Sequence, residues 1–230
     1  AGFHVAADAP PYGLDDALLL GGLLTVWSAC TYLGTGWRGR IFGETRARIH
    51  ARNTVDPLTG LATPLVLAER IQAARHLTRR YGHPSVVMVV HIDNLDAIGA
   101  EFGPEAAESA VLAAASRVRE SLMRDGDVAA RLAHARIGVL AEGAAPGEAA
   151  ASVATRILVA GLKEPLPAAR AEYLRFRIVL AAVPTSESAP KQLLYKLNQR
   201  MDAEVRSGSE RRIVTLAAEE LQTAPAPLTP

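Results

Sequence analysis

The sequence predicts an α/β domain, a mixed sheet with helices against its faces, preceded by one membrane-crossing helix. Three observations carry this expectation. Short β-branched apolar runs alternate with longer helical stripes from Asp56 onward, and two of the runs are separated only by Ala133–Arg136, as in a hairpin. Ala17–Trp37 holds no charged side chain over about the length of a bilayer span.

The elements follow in order. Residues 1–16 carry Asp8, Asp15 and Asp16 and are read as an extracytoplasmic segment, while Arg38, Arg40, Arg46 and Arg48 follow the apolar run. The basic bias places the C-terminal side in the cytoplasm, with Trp27, Tyr32 and Trp37 as interface anchors of the 17–37 helix. A signal peptide fits less well, because no basic region precedes the run. A buried helix of a soluble domain is weakened by four glycines and the lack of a polar face. Residues 38–55 space Ile41, Phe42, Ile49 and Val55 about one heptad apart. That is too short to establish a coiled coil, so a signalling helix and an ordinary juxtamembrane linker both stand.

From residue 56 to 216 the pattern is that of one folded domain. Leu67, Ala68, Ile71, Ala74, Thr78 and Tyr81 make a helical stripe, and Ser85–Ile92 (SVVMVVHI) reads as a buried strand. Pro104–Met123 is an Ala-rich helix opened by proline. Strands are expected at Val128–Leu132, Ile137–Ala141, Tyr173–Val183 and Arg211–Leu216, with helices at Gly147–Leu162 and Pro190–Arg206. Residues 217–230 end in TAPAPLTP and are expected to be a disordered tail.

Composition excludes several functions. At 230 residues, 49% hydrophobic and 21% charged, the chain supports one globular domain plus extra segments. A formal charge of +1 gives no basis for nucleic-acid binding. The single cysteine, Cys30, excludes an intramolecular disulfide and a cysteine-based zinc site.

DPLTGL at Asp56–Leu61, VMVVHID at Val87–Asp93 and the hairpin RLAHARIGVLAEG at Arg131–Gly143 resemble the GGDEF family, the diguanylate cyclases that make cyclic di-GMP from two GTP. The resemblance implies a palm-like nucleotidyl cyclase core over about residues 56–216, in a bacterial signalling protein at the inner membrane. Aligned on Arg131-Leu132 and Ile137–Leu140, the family's signature turn falls on Ala133-His134-Ala135-Arg136-Ile137, and only an apolar last residue survives. Phosphoryl transfer between nucleotides needs Mg²⁺ held by carboxylates. The family's metal-binding acids correspond here to His91 and Ala135, and its glycine pair to Ala133-His134. The base-reading Asn and Asp correspond to Gly99 and Glu108, one Lys to Asp96, and the C-terminal Lys falls near Val205. The expectation is therefore a degenerate domain with no catalytic residue, no metal ligand set and no cofactor. Asp93 remains and is expected to be a turn or helix-cap residue. His91 and His134 are candidates to meet as a metal pair, but no third ligand is identifiable.

Arg124-Asp125-Gly126-Asp127 lies where the resembled family keeps its product-binding Arg-x-x-Asp, and Arg156, in Ala154-Thr155-Arg156-Ile157, corresponds to a further arginine of that site. A guanidinium fork bonds guanine O6 and N7 or a phosphate, and a carboxylate accepts from guanine N–H groups. Arg124, Asp127 and Arg156 are accordingly the expected cyclic di-GMP ligands. Plain structural roles stand beside this: Arg124 facing a helix dipole, Asp127 closing a turn, Arg156 solvated. The resulting expectation is a membrane-anchored, catalytically inactive GGDEF-like domain, cytoplasmic, that senses cyclic di-GMP and passes occupancy to a protein partner or a second copy. A ligand-free dimerisation or scaffold module is the alternative. An active cyclase requires metal ligands that these residues do not supply.

Overall fold

The computed structural model describes residues 13, 15, 18–32, 54–185 and 190–222. The chain divides into two compact units, Ala1–Arg52 and Asn53–Pro230.

In the first unit, residues 18–32 form helix α1, and every one of them is exposed. Leu19, Leu23 and Trp27 stand 71%, 73% and 67% open. Thr25 and Thr31 turn their hydroxyls back onto Gly22 O (2.8 Å) and Trp27 O (2.7 Å), so the helix's own carbonyls satisfy them. No helix among the described residues is long and apolar enough to cross a membrane. Residues 17 and 33–37 of the expected span, and residues 38–53 of the expected linker, lie outside the described residues.

The second unit is built on a five-stranded sheet. Its strands are β1 (Ser85–Ile92), β2 (Val128–Ala133), β3 (Arg136–Glu142), β4 (Phe176–Ala182) and β5 (Ile213–Thr215), ordered β2-β3-β1-β4-β5. All neighbours are antiparallel except β4 and β5, which run parallel. Strand β1 is central and covered on both faces, which is why it reads as a continuous apolar run. Its period of two is still visible in the packing. Val86, Met88 and Val90 join one core cluster, and Val87 and Val89 the other.

Helices α2 (Pro64–Tyr81) and α6 (Pro190–Arg206) cover the second of these faces through Leu67, Ile71, Leu197 and Met201. Helices α3 (Leu95–Phe102), α4 (Pro104–Ser121) and α5 (Glu148–Gly161) cover the first. Helix α4 buries Ala106, Ala110, Ala114 and Ala115, small residues that let its backbone lie close to its neighbours. Helix α2 opens on proline and ends at Gly82, whose φ of 66° lets its N–H donate to Thr78 O, a left-handed stop for which glycine is suited.

The outer edge of β2 is covered by the residues before α2. Ala62 N–H donates to Ala129 O (3.0 Å) and Arg131 N–H to Ala62 O (3.0 Å), which pairs part of an edge that would otherwise be open. Asp56 holds this segment in a turn by accepting from Thr59 N–H (2.9 Å) and Oγ1 (2.7 Å), and it pairs with Arg131 at 3.3 Å. Burial pushes the Asp56 carboxyl up, but those hydrogen bonds and the Arg131 charge outweigh it and hold the group below its ordinary range.

The structure differs from the sequence expectation in several elements. Leu95–Phe102 is a helix, missed because it spans only two turns and contains Gly99. Tyr173–Arg175 is not strand: Asn94 reaches across to Tyr173 O (2.8 Å) and Arg175 N–H (3.0 Å) and fixes it as a loop. Ala218–Gln222 forms a short helix, α7, inside the segment expected to be disordered, and the Lys196 ammonium donates to Glu220 O and Leu221 O there.

Candidate functional site

The C-terminal end of β1 meets the tip of the β2–β3 hairpin. Register sets His91 opposite Arg136 on β3 and Arg177 on β4. Ile92 N–H donates to Ala135 O (3.0 Å), tying the strand end to the His134–Ala135 turn. The positions that the sequence alignment associates, 91, 93, 135 and 136, are therefore brought together.

Their chemistry is dominated by arginine. Arg177, only 6% exposed, donates from Nε to Asp93 Oδ1 (3.1 Å) and from Nη2 to Oδ2 (3.0 Å). Its other amino group bonds Ser209 O (2.6 Å) and Arg211 O (3.1 Å), so one side chain ties β4, the end of β1 and the segment before β5 together. Arg212 also pairs with Asp93 Oδ2. Arg136 donates to Asn198 Oδ1 (3.0 Å) and pairs with Asp202, both on α6.

Asp93 sits in the turn after β1, as expected, but it does not cap α3. The N-cap of α3 is Asn94, without a side-chain cap bond, while Asp93 is fully engaged by guanidinium groups. A hard divalent cation wants oxygen ligands, and here it would have to displace an arginine to reach these. His134 is exposed at the turn. No group of three or more His, Cys, Asp or Glu among the described residues is placed to hold a metal ion.

Burial pushes the His91 imidazole below its ordinary value of 6.5, aided by Arg136 and Arg177 and opposed by Asp93, 4.0 Å away, and by a backbone bond at Ala135. The sign of the consequence is fixed. Well above pH 6.5 both folded and unfolded chains hold His91 neutral; as pH drops through 6.5 the unfolded chain takes the proton first, so stability is lost as the solution becomes more acid. Melting at pH 7.5 and 5.5 is expected to show a smaller acid loss in His91→Gln than in the native chain. Equal losses would mean that burial of His91 is not responsible.

The second cluster lies at the other end of the hairpin. Asp127 accepts from Arg124 N–H (3.2 Å) through Oδ2 and from Glu142 N–H (3.0 Å) through Oδ1. Arg124 Nη1 donates to Glu142 O (2.6 Å). It lies against Gly143, where an added Cβ would sit 3.2 Å from that nitrogen, and Gly143 has a φ of 70°. Arg124 and Asp127 therefore meet, and Asp127 does close the turn before β2. Each carboxylate oxygen keeps a further lone pair, and the Nε and Nη2 of Arg124 carry no bond among the described residues.

Arg156 lies on α5, half-buried, with its Nε sheltered and unpartnered. No hydrogen bond or ion pair among the described residues joins it to Arg124 or Asp127. A groove of about 360 Å³ does open beside those two, lined also by Arg119, Leu122, Val128, Ala129 and Gly60–Ala62. Sequence reasoning did not single out Arg119, Arg177 or Arg212. The only signal for Arg177 was a charge inside an otherwise apolar strand.

The sequence profile described as "Diguanylate cyclase, GGDEF domain" matches residues 53–211. The chain belongs to the GGDEF family. Its fold is similar to that of the diguanylate cyclase SiaD of Pseudomonas aeruginosa, solved with its activator SiaC, at 15% identity and a TM-score of 0.63, covering 88% of this chain and 76% of SiaD. It is similar also to the GGDEF domain of YfiN (TpbB) from the same organism, at 21% identity and a TM-score of 0.63 over 72% of this chain and 96% of that one. The GGDEF domain of DgcB from Caulobacter crescentus, solved with c-di-GMP, aligns at 15% identity and a TM-score of 0.60 over 70% and 92%. No curated protein matches the sequence.

Placed in the GGDEF fold, the other aligned positions are on helices. Gly99 lies within α3 against Ala107 of α4, where an added Cβ would be 3.4 Å away. Asp96 and Glu108 are exposed, and Val205 is 40% open near the end of α6.

Proposed function

We propose that this GGDEF domain binds cyclic di-GMP without making it, and signals from the cytoplasmic face of a bacterial inner membrane. The observation that carries the non-catalytic part is the state of Asp93. The carboxylate that remains at the end of β1 is held on both oxygens by Arg177 and also by Arg212, while the neighbouring positions 91 and 135 supply imidazole and a methyl group. Two GTP molecules need a cation at that place, and arginine offers charge but no ligand for it.

Binding is assigned to Arg124 and Asp127, with Arg156 as the third residue that the family resemblance implies. Support comes from their shared turn, the free edge of Arg124, the adjoining groove, and the DgcB domain solved with c-di-GMP. Membrane attachment through residues 17–37 is supported by the exposed apolar side chains of α1, which water does not favour. A scaffold module is the second reading. It is favoured by one fact, that Asp127 already uses both oxygens on backbone N–H groups.

Incubating the full chain with GTP and Mg²⁺ or Mn²⁺, then separating products by chromatography, is expected to yield no cyclic di-GMP. Ala135→Asp is expected to remain inactive, since position 91 still supplies an imidazole in place of a carboxylate and the base-reading positions 99 and 108 are unchanged. Product above a no-protein control, abolished by heating the protein, would overturn the non-catalytic reading.

A further inference from the structure

We propose that Arg119, on the last turn of α4, is a second guanidinium of the cyclic di-GMP site, reaching the ligand from the lining of the groove that it shares with Arg124. The proposal rests on the reading of Arg124 and Asp127 as a ligand site and adds to it a residue outside the Arg-x-x-Asp motif. The groove's volume of about 360 Å³ is at the small end of the size usual for small-molecule sites. It suits part of a cyclic dinucleotide, one base with its phosphate, the rest remaining in solvent.

The lining has the right chemistry. Leu61, Leu122 and Val128 supply an apolar surface for a flat base, and Arg119, Arg124 and Asp127 supply two cations and one carboxylate. Cyclic di-GMP carries two phosphates and two guanines. Arg124 has one amino group committed to Glu142 O, so only one edge of its fork faces a ligand. A second cation fills that deficit, since phosphate and guanine O6/N7 both select a guanidinium.

Arg119 is available for this in a way that its neighbour is not. Arg117, two residues earlier, bonds Gly161 O (2.8 Å) and Glu164 O (2.6 Å) and fastens α4 to the end of α5. The Arg119 side chain is exposed and makes no hydrogen bond or ion pair among the described residues. Gly60–Ala62, the segment that pairs with the edge of β2, also lines the groove. A ligand held by Arg119 and Arg124 would rest against that segment and restrain it.

Calorimetric titration of the full chain in detergent with cyclic di-GMP tests this, alongside hydrogen exchange of residues 56–62. Arg119→Ala is expected to weaken binding about ten-fold or more at an unchanged melting temperature, with Arg119→Lys restoring only part of it. Arg79→Ala, which removes an exposed charge on α2, is expected to stay within about two-fold. Ligand is expected to slow exchange at residues 56–62 in the native chain and not in Arg119→Ala. If Arg124→Ala abolishes binding while Arg119→Ala binds like the native chain, Arg119 is not part of the site and the sensor reading survives. If the native chain gives no heat of binding, the sensor reading fails and Arg119 loses its role with it.

Discussion

Asp93→Ala is expected to destabilise the folded domain by about 3–5 kcal/mol, the usual cost of stranding a buried charge by removing its partner. Arg177 is the charge in question: its side chain is 7% exposed, and two of its bonds end on Asp93. Without that carboxylate, a guanidinium lying between β1 and β4 keeps only the carbonyls of Ser209 and Arg211. The melting temperature should fall by on the order of 10 °C for a domain of this size. Arg212 adds less to the effect, because it is 45% exposed and can return to water. The double variant Asp93→Leu/Arg177→Met is expected to recover much of the loss, since an apolar pair carries no stranded charge. A melting temperature for Asp93→Ala within a degree or two of the native chain would show that the Arg177 contact does not hold the sheet end together.

Arg124→Ala is expected to reduce affinity for cyclic di-GMP by about one to two decades, equivalent to the roughly 1.5–3 kcal/mol of a charge-assisted hydrogen bond. Its guanidinium also anchors the turn through Glu142 O, so stability must be measured beside affinity. Arg124→Lys separates the two effects. The ammonium can still donate to Glu142 O, yet it lacks the planar fork and should restore stability more than binding. Asp127→Ala is expected to be the more damaging variant for folding. It removes acceptors from two backbone N–H groups, of Arg124 and Glu142, and loosens the start of the hairpin. Affinities of Arg124 and Asp127 variants are expected to be non-additive, because both residues serve one turn and one ligand. An Arg124→Ala variant that stays folded and binds as tightly as the native chain would remove the site.

What could be read from the sequence was set by periodicity. The apolar run of β1, the hairpin and the stripes of α2 and α4 each repeat with their element's period, and they appear where expected. Helix α3 was hidden because eight residues with a glycine give too little pattern, and α7 because its Pro-rich continuation suggested a tail without structure. The turn formed by Arg124 and Asp127 was legible because both residues lie within one tetrapeptide. The arginines on Asp93 were not, since Arg177 is 84 residues away along the chain and Arg212 is 119 away. Nothing local marks such partners; only the pairing of β4 with β1, and of β5 with β4, delivers them to the same strand end. Arg119 was missed for a similar reason: in sequence it is one of several charges on a helix, and only the fold shows that it lines the same groove as Arg124.

The central claim, a GGDEF domain that binds cyclic di-GMP without making it, is tested most directly by titrating the full-length native chain with cyclic di-GMP in a calorimeter, with Mg²⁺ and GTP as the parallel titrant. Saturable binding of cyclic di-GMP, weakened by about one to two decades in Arg124→Ala, with GTP producing no sustained heat of turnover, is the predicted result. Sustained heat on adding GTP, with cyclic di-GMP accumulating in the cell, or no binding of cyclic di-GMP at high micromolar concentration, would contradict it.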